Sequence, residues 1–72
     1  MSRITLQRFG DRVREERLKR GLSQEELAAR AGVHRTYIGM VERAEKNVTL
    51  GTIEKFANAL GISISELMKI GK

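Results

Sequence analysis

The chain has 72 residues, with 14 Lys+Arg against nine Asp+Glu for a formal charge of +5, and it contains no cysteine and no proline. So short a chain makes one domain that buries only about 60% of its unfolded surface, and small domains without staples often gain stability by oligomerising. Disulfides and thiolate metal ligands are excluded, no apolar run approaches the roughly 20 residues that cross a bilayer, and no secretory signal opens the sequence, so a soluble cytoplasmic protein is expected. The basic balance points to a polyanionic partner, nucleic acid or anionic membrane.

In chain order the spacing predicts five helices and no strand. The first runs from about Leu6 to Arg20, with Thr5 as N-cap, Leu6, Phe9 and Val13 facing the core, and Gly21 as its left-handed stop. On it, Glu15 with Lys19 and Glu16 with Arg20 stand four apart and support the helix, while Arg3, Arg8, Arg12, Arg14, Lys19 and Arg20 read mostly as a solvated face. Ser23 and Glu26 form a capping box for a short second helix that buries Leu27, Ala28 and Ala31. Gly32 supplies the positive φ of a tight turn. A third helix, from about His34 to Arg43, buries Ile38 and Val41. After a polar connection from Ala44 to Val48, Thr49 caps a fourth helix carrying Ile53, Phe56, Ala57 and Leu60, which stops at Gly61. Ser63 and Glu66 form a second capping box, opening a short last helix with Ile64, Leu67 and Met68.

Helix, glycine turn and a second helix that begins with polar and cationic side chains are the layout of a helix-turn-helix, which lays its second helix in the DNA major groove. The first turn of that helix offers His34, Arg35, Thr36 and Tyr37. Arg35 can donate two parallel bonds to guanine O6 and N7, and otherwise is a solvated charge. Thr36 brings a hydroxyl and a methyl, Tyr37 a hydroxyl for a phosphate or base edge. Met40, one turn on, either meets a thymine methyl or fills the core edge. Gln24 opens the second helix, where free N–H groups and the helix dipole attract phosphate, and Ser23 is mainly a cap. His34 has no second histidine beside it, so a polar contact to the DNA backbone is expected and a metal site is not.

Ser23-Gln24-Glu25-Glu26-Leu27-Ala28, Gly32, Glu42 and the later Ala57-Asn58-Ala59-Leu60-Gly61-Ile62-Ser63 resemble the phage-repressor-like helix-turn-helix proteins, the lambda/434 repressor type, over nearly the whole length. Within that family, His34-Arg35-Thr36-Tyr37-Ile38, Val41-Glu42-Arg43 and Asn47-Val48-Thr49-Leu50 look most like the controller proteins of restriction–modification systems. The resemblance implies an all-α, compact five-helix bundle, a single helix-turn-helix domain over residues 1–72. It implies that Gln24 braces the recognition helix, that Arg43 and Asn47 hold flanking phosphates, and that Arg17 and Glu42 form a structural ion pair. It also places an apolar residue near position 16, where this chain has Glu16; either Leu18 takes the packing role or the first helix is rotated.

The C-terminal part, about 50–72, is expected to form a homodimer interface through Ile62, Ile64, Leu67 and Met68, with Ile70 adding apolar surface. A dimer would read a palindromic operator in double-stranded DNA, with recognition helices about 34 Å apart. Glu25 is the candidate for touching the sigma subunit of RNA polymerase, as acidic residues there do in relatives. The implied function is a transcription regulator, a restriction–modification controller that activates and then represses from tandem operators. Alternatives are a phage repressor or antitoxin-type autorepressor and, in another class, a non-DNA protein-interaction module. An enzyme, a cofactor, a small-molecule ligand and a membrane role are not expected.

Overall fold

The structure is a computed structural model that describes residues 2–69. Five helices follow one another: α1 (Arg3–Lys19), α2 (Gln24–Ala31), α3 (Arg35–Glu42), α4 (Leu50–Leu60) and α5 (Ile64–Leu67). No strand occurs among the described residues.

The helix starts follow from short polar side chains that satisfy otherwise orphaned backbone donors. α1 begins three residues before the expected Leu6, because its N-cap is Ser2 rather than Thr5. Ser2 Oγ accepts the Thr5 N–H at 3.1 Å, so Thr5 is the capped residue and not the cap. At the other end, the Leu22 N–H donates to the Arg17 carbonyl and the Gly21 N–H to Leu18, each near 3 Å, closing the helix through a left-handed residue. The α2 box is reciprocal: Ser23 Oγ accepts from the Glu26 N–H at 3.0 Å and Glu26 Oε1 from the Ser23 N–H at 2.8 Å. Only half of the second box forms, for Ser63 Oγ caps Glu66 while the Glu66 carboxylate lies 3.8 Å from Lys69 Nζ. α3 is one residue shorter at each end than expected, with His34 and Arg43 as its caps.

One apolar core joins all five helices: Phe9 and Val13, Leu27, Ala28 and Ala31, Ile38 and Val41, Ile53, Phe56, Ala57 and Leu60, and Leu67. The rings of Phe9 and Phe56 stack at 6.4 Å between α1 and α4. Leu6, expected in this core, is only half-buried and outside the cluster, since the first turn of α1 is exposed. Leu67, expected at a dimer interface, is instead fully buried within the monomer. Its burial fastens α5, which is too short to hold itself.

α1 and α3 cross in direct backbone contact. A Cβ on Gly10 would lie 2.5 Å from the Val41 carbonyl oxygen and 3.0 Å from that of Glu42. Only hydrogen fits there.

Glu16 is not replaced in packing by Leu18, which is 55% exposed, whereas Glu16 is 4% exposed. Its carboxylate accepts Arg20 Nη1 at 2.7 Å, Arg12 Nη1 at 2.8 Å and Lys19 Nζ at 3.2 Å. The hydrogen bond from Arg20, joined by those from Arg12 and Lys19, outweighs burial and holds the carboxyl down at about 2. Arg12, half-buried, is therefore not part of a solvated face, and Arg20, though exposed as expected, is held by hydrogen bonds. Arg12 Nη2 donates to the Glu66 carbonyl at 2.8 Å and Arg20 Nε to the Leu60 carbonyl at 2.7 Å. Both guanidiniums thus sit at helix C-termini, where the dipole favours cations. Lys19 bonds to Glu16 and Glu15 to Arg12 at 2.8 Å, in place of the expected Glu15–Lys19 pair.

Candidate nucleic-acid interface

α2 and α3 are joined through Gly32, whose φ of +71° is the left-handed turn that lets α3 fold back across α2. α3 turns Ile38 and Val41 inward, fully buried, and leaves Arg35, Thr36 and Arg43 exposed. With Gln24 from the first turn of α2 and Gly39 between them, these side chains line one shallow open groove. Gly39 is buried beneath its neighbours: a Cβ there would lie 3.0 Å from Arg43 Nη1 and 3.6 Å from Gln24 Oε1.

The groove stands on a hydrogen-bonded lock. Arg17 Nε and Nη2 donate to the two Glu42 oxygens at 2.7 and 3.1 Å, and Arg17 Nη1 donates to the Leu22 carbonyl at 2.8 Å. Gln24 Nε2 donates to Glu42 Oε1 at 3.1 Å, so α1, α2 and α3 meet at one carboxylate. The Arg17 and Glu42 side chains are 9% and 5% exposed, a desolvated bidentate pair and not two surface charges.

Other predicted contacts fall around this face with different degrees of freedom. Ser23 spends its Oγ on the cap. Tyr37 is half-buried, its ring edge-on to Phe56 at 6.2 Å, which fixes the ring at the rim of the core. Met40 is half-buried, and Asn47 is exposed in the α3–α4 connection. That connection leaves α3 through Ala44, a non-glycine residue at φ +59°. Glu25 is exposed at the start of α2. Ile62, Ile64 and Met68 are half-buried against the core, each with apolar surface left outward. Ile70 lies outside the described residues.

Two features escaped the sequence. Arg43 is paired with Glu45, Nε to Oε2 at 3.1 Å and Nη2 to Oε1 at 3.2 Å. His34 is the N-cap of α3, its Nδ1 accepting the Thr36 N–H at 3.0 Å. Histidine is not among the preferred caps, so its place just before Arg35 gave no cap signal. Among the described residues no group of three or more His, Cys, Asp or Glu is placed to hold a metal, and no helix is long and apolar enough to cross a membrane.

Residues 13–67 match the helix-turn-helix family model. The chain belongs to that family. Control protein C.SmaI of Serratia marcescens is 52% identical over 60 residues, spanning 83% of this chain and 71% of that protein. Control protein C.BamHI of Bacillus amyloliquefaciens is 48% identical over 61 residues, 83% of this chain and 75% of that one. The crystal structure of the restriction–modification controller protein C.AhdI from Aeromonas hydrophila superposes with a TM-score of 0.84 at 52% identity, covering 86% of this chain and 94% of that chain. A helix-turn-helix protein of this kind is a DNA-binding transcription regulator and not an enzyme.

Proposed function

We propose that this helix-turn-helix protein is a restriction–modification controller that binds a palindromic operator as a homodimer and both activates and represses from tandem sites. The observation that carries the reading is the groove of Gln24, Arg35, Thr36, Gly39 and Arg43, held at a set angle by Arg17 and Glu42. Arg35 and Thr36, exposed on the first turn of α3, meet base edges, and Met40 meets a thymine methyl. Gln24, Ser23, His34, the Tyr37 hydroxyl, Arg43 and Asn47 take the backbone, which gives affinity and register. The outward surface of Ile62, Ile64 and Met68 joins two copies, and Glu25 faces the polymerase sigma subunit. The 52% and 48% identity to two control proteins favours this context.

The test is a gel shift on DNA upstream of the protein's own gene, with excess competitor, comparing wild type with Arg35→Ala. A discrete complex that the variant loses by on the order of tenfold to a hundredfold supports sequence-specific reading by Arg35. Two successive complexes support tandem operators. Binding that competitor removes equally from both proteins refutes the reading.

A further inference from the structure

α1 packs on α3 and also on α4 and α5. Its buried charged residues, Glu16 and Arg17, are adjacent, and adjacent positions on a helix face different neighbours. Arg17 turns to Glu42 at the end of α3. Glu16 turns to the far side, where one oxygen serves each of two guanidiniums: Oε1 accepts Arg20 Nη1 at 2.7 Å and Oε2 accepts Arg12 Nη1 at 2.8 Å. Each arginine spends a further nitrogen on a backbone carbonyl, Arg20 Nε on Leu60 at the end of α4 and Arg12 Nη2 on Glu66 near the end of α5. Arg12 Nε is buried without a partner, so these bonds and the one to Glu15 are what hold that guanidinium. Leu60 and Glu66 bracket the turn and short helix that carry Ile62 and Ile64, and Met68 follows directly after Leu67. The apolar surface assigned above to the homodimer is thus fastened at two points to one buried carboxylate.

We infer that Glu16 is a positioning residue for dimeric DNA reading: through Arg12 and Arg20 it fixes the segment carrying Ile62, Ile64 and Met68 to α1, and so sets the separation of the two recognition helices. The inference rests on the homodimer reading above. Buried ion clusters are weak sources of stability, and a well-packed apolar side chain does as well or better. What the charge adds is direction. Charge-assisted bonds are short and hold the planes of both guanidiniums, and with them the places of the two carbonyls. The path to DNA is then continuous: Glu42 ties α3 to one side of α1, and Glu16 ties the dimer segment to the other. Two copies joined through that segment hold their recognition helices at one distance, which a two-fold protein reads in DNA as half-site spacing. Without the carboxylate, Arg12 and Arg20 face each other as like charges and release the carbonyls. Leu67, fully buried, still anchors α5 in the core, but the tilt of the surface around it is no longer fixed.

The experiment compares wild type with Glu16→Gln, Glu16→Leu and a core control, Ile53→Val, all at neutral pH and under conditions where circular dichroism shows them folded. Glutamine keeps the shape but has one acceptor oxygen where two are used, and leucine has none; should one of the two fail to fold, the other carries the test. Sedimentation equilibrium is expected to show dimer dissociation constants raised about tenfold in the Glu16 variants and little changed in Ile53→Val. Amide exchange by NMR is expected to quicken about tenfold at Ile62 and Met68 relative to Val41, whereas a loss of global stability quickens all three alike. On operators whose half-sites are moved together or apart by a single base pair, wild type is expected to prefer one spacing and the Glu16 variants to lose most of that preference, with Ile53→Val retaining it. Glu16 variants that dimerise with wild-type affinity, or that weaken on every spacing equally and exchange uniformly faster, overturn the inference and leave the homodimer reading standing. Wild type that sediments as a monomer at every concentration overturns the homodimer reading, and this inference with it.

Discussion

The guanidinium of Arg17 meets both oxygens of Glu42 and, with its remaining nitrogen, the Leu22 carbonyl at 2.8 Å. Each donor and acceptor in this buried group has a partner, and that is the condition under which a desolvated ion pair holds. Removing one member strands the other. Arg17→Met leaves Glu42 buried with only the Gln24 amide, and Glu42→Leu leaves Arg17 with one carbonyl. Each single change is expected to lower unfolding free energy by about 3–5 kcal/mol. The double replacement by apolar residues of similar volume is expected to recover most of that loss. Urea unfolding of the four proteins measures the coupling directly. If the two single losses simply add in the double variant, the pair is not coupled. The recovered double variant also isolates the lock's role in reading: it is expected to fold stably yet bind operator more weakly, because the hydrogen-bonded restraint between α3, α1 and α2 is then gone.

Elements meet differently at two glycines, and the same substitution is expected to act with opposite sign. Gly10→Ala pushes a methyl to 2.5 Å from the Val41 carbonyl oxygen, which forces α1 and α3 apart. The overpacking outweighs the roughly 1 kcal/mol that alanine gains in a helix, for a net loss of about 1–2 kcal/mol. Gly51→Ala lies in the first turn of α4, where a Cβ meets only Thr49 Oγ1 at an ordinary 3.7 Å, so it is expected to stabilise by up to about 1 kcal/mol. Thermal unfolding separates the two. The Glu16 cluster, which ties α1 to the ends of α4 and α5, predicts a pH dependence. Its carboxyl is depressed to about 2 from an ordinary 4.5, so the folded state binds that proton more weakly than the unfolded one. The stability it contributes is present above pH 4.5 and is lost as pH falls towards 2. In acid titrations monitored by circular dichroism, Glu16→Gln is expected to be less stable than wild type at pH 7 and to lose less between pH 4.5 and 2. These elements also mark how far the sequence could be read. Periodic apolar positions made the five helices legible, and the Ser or Thr caps of α2, α4 and α5 placed their starts, whereas α1 is capped by Ser2 rather than Thr5 and α3 by His34. Arg17 with Glu42 was legible through resemblance only, since 25 residues separate them. The Glu16–Arg20 pair was legible from its spacing, but the bonds of Arg12 and Arg20 to the backbone carbonyls of Glu66 and Leu60 were not, since no side-chain pattern announces them. The packing reason for Gly10 lies on α3, so nothing in the sequence of α1 announces it.

At the scale of the whole molecule, the half-buried Ile62, Ile64 and Met68 stand beside the fully buried Leu67, and the contrast separates folding from association. Leu67 joins α5 to the core of its own protomer, so Leu67→Ala removes buried volume and is expected to cost about 2–5 kcal/mol in any oligomeric state. Met68 retains outward surface. Met68→Glu puts a charge there that water accepts in a monomer and a symmetric apolar interface does not, since the two-fold axis brings two like charges together. The expected outcome is a folded chain that sediments as a monomer at concentrations where wild type is a dimer. Its operator affinity falls more steeply than its affinity for random DNA, because a single recognition helix reaches only half a palindrome. Sedimentation equilibrium and circular dichroism on the same samples decide it. If Met68→Glu remains dimeric, the interface lies elsewhere. If wild type is itself monomeric at all concentrations and still binds one operator tightly, the two-fold reading of the palindrome is wrong. On the homodimer proposed above, mass action links the two scales: a dimer that assembles only above a threshold concentration would delay operator occupancy until enough protein has accumulated.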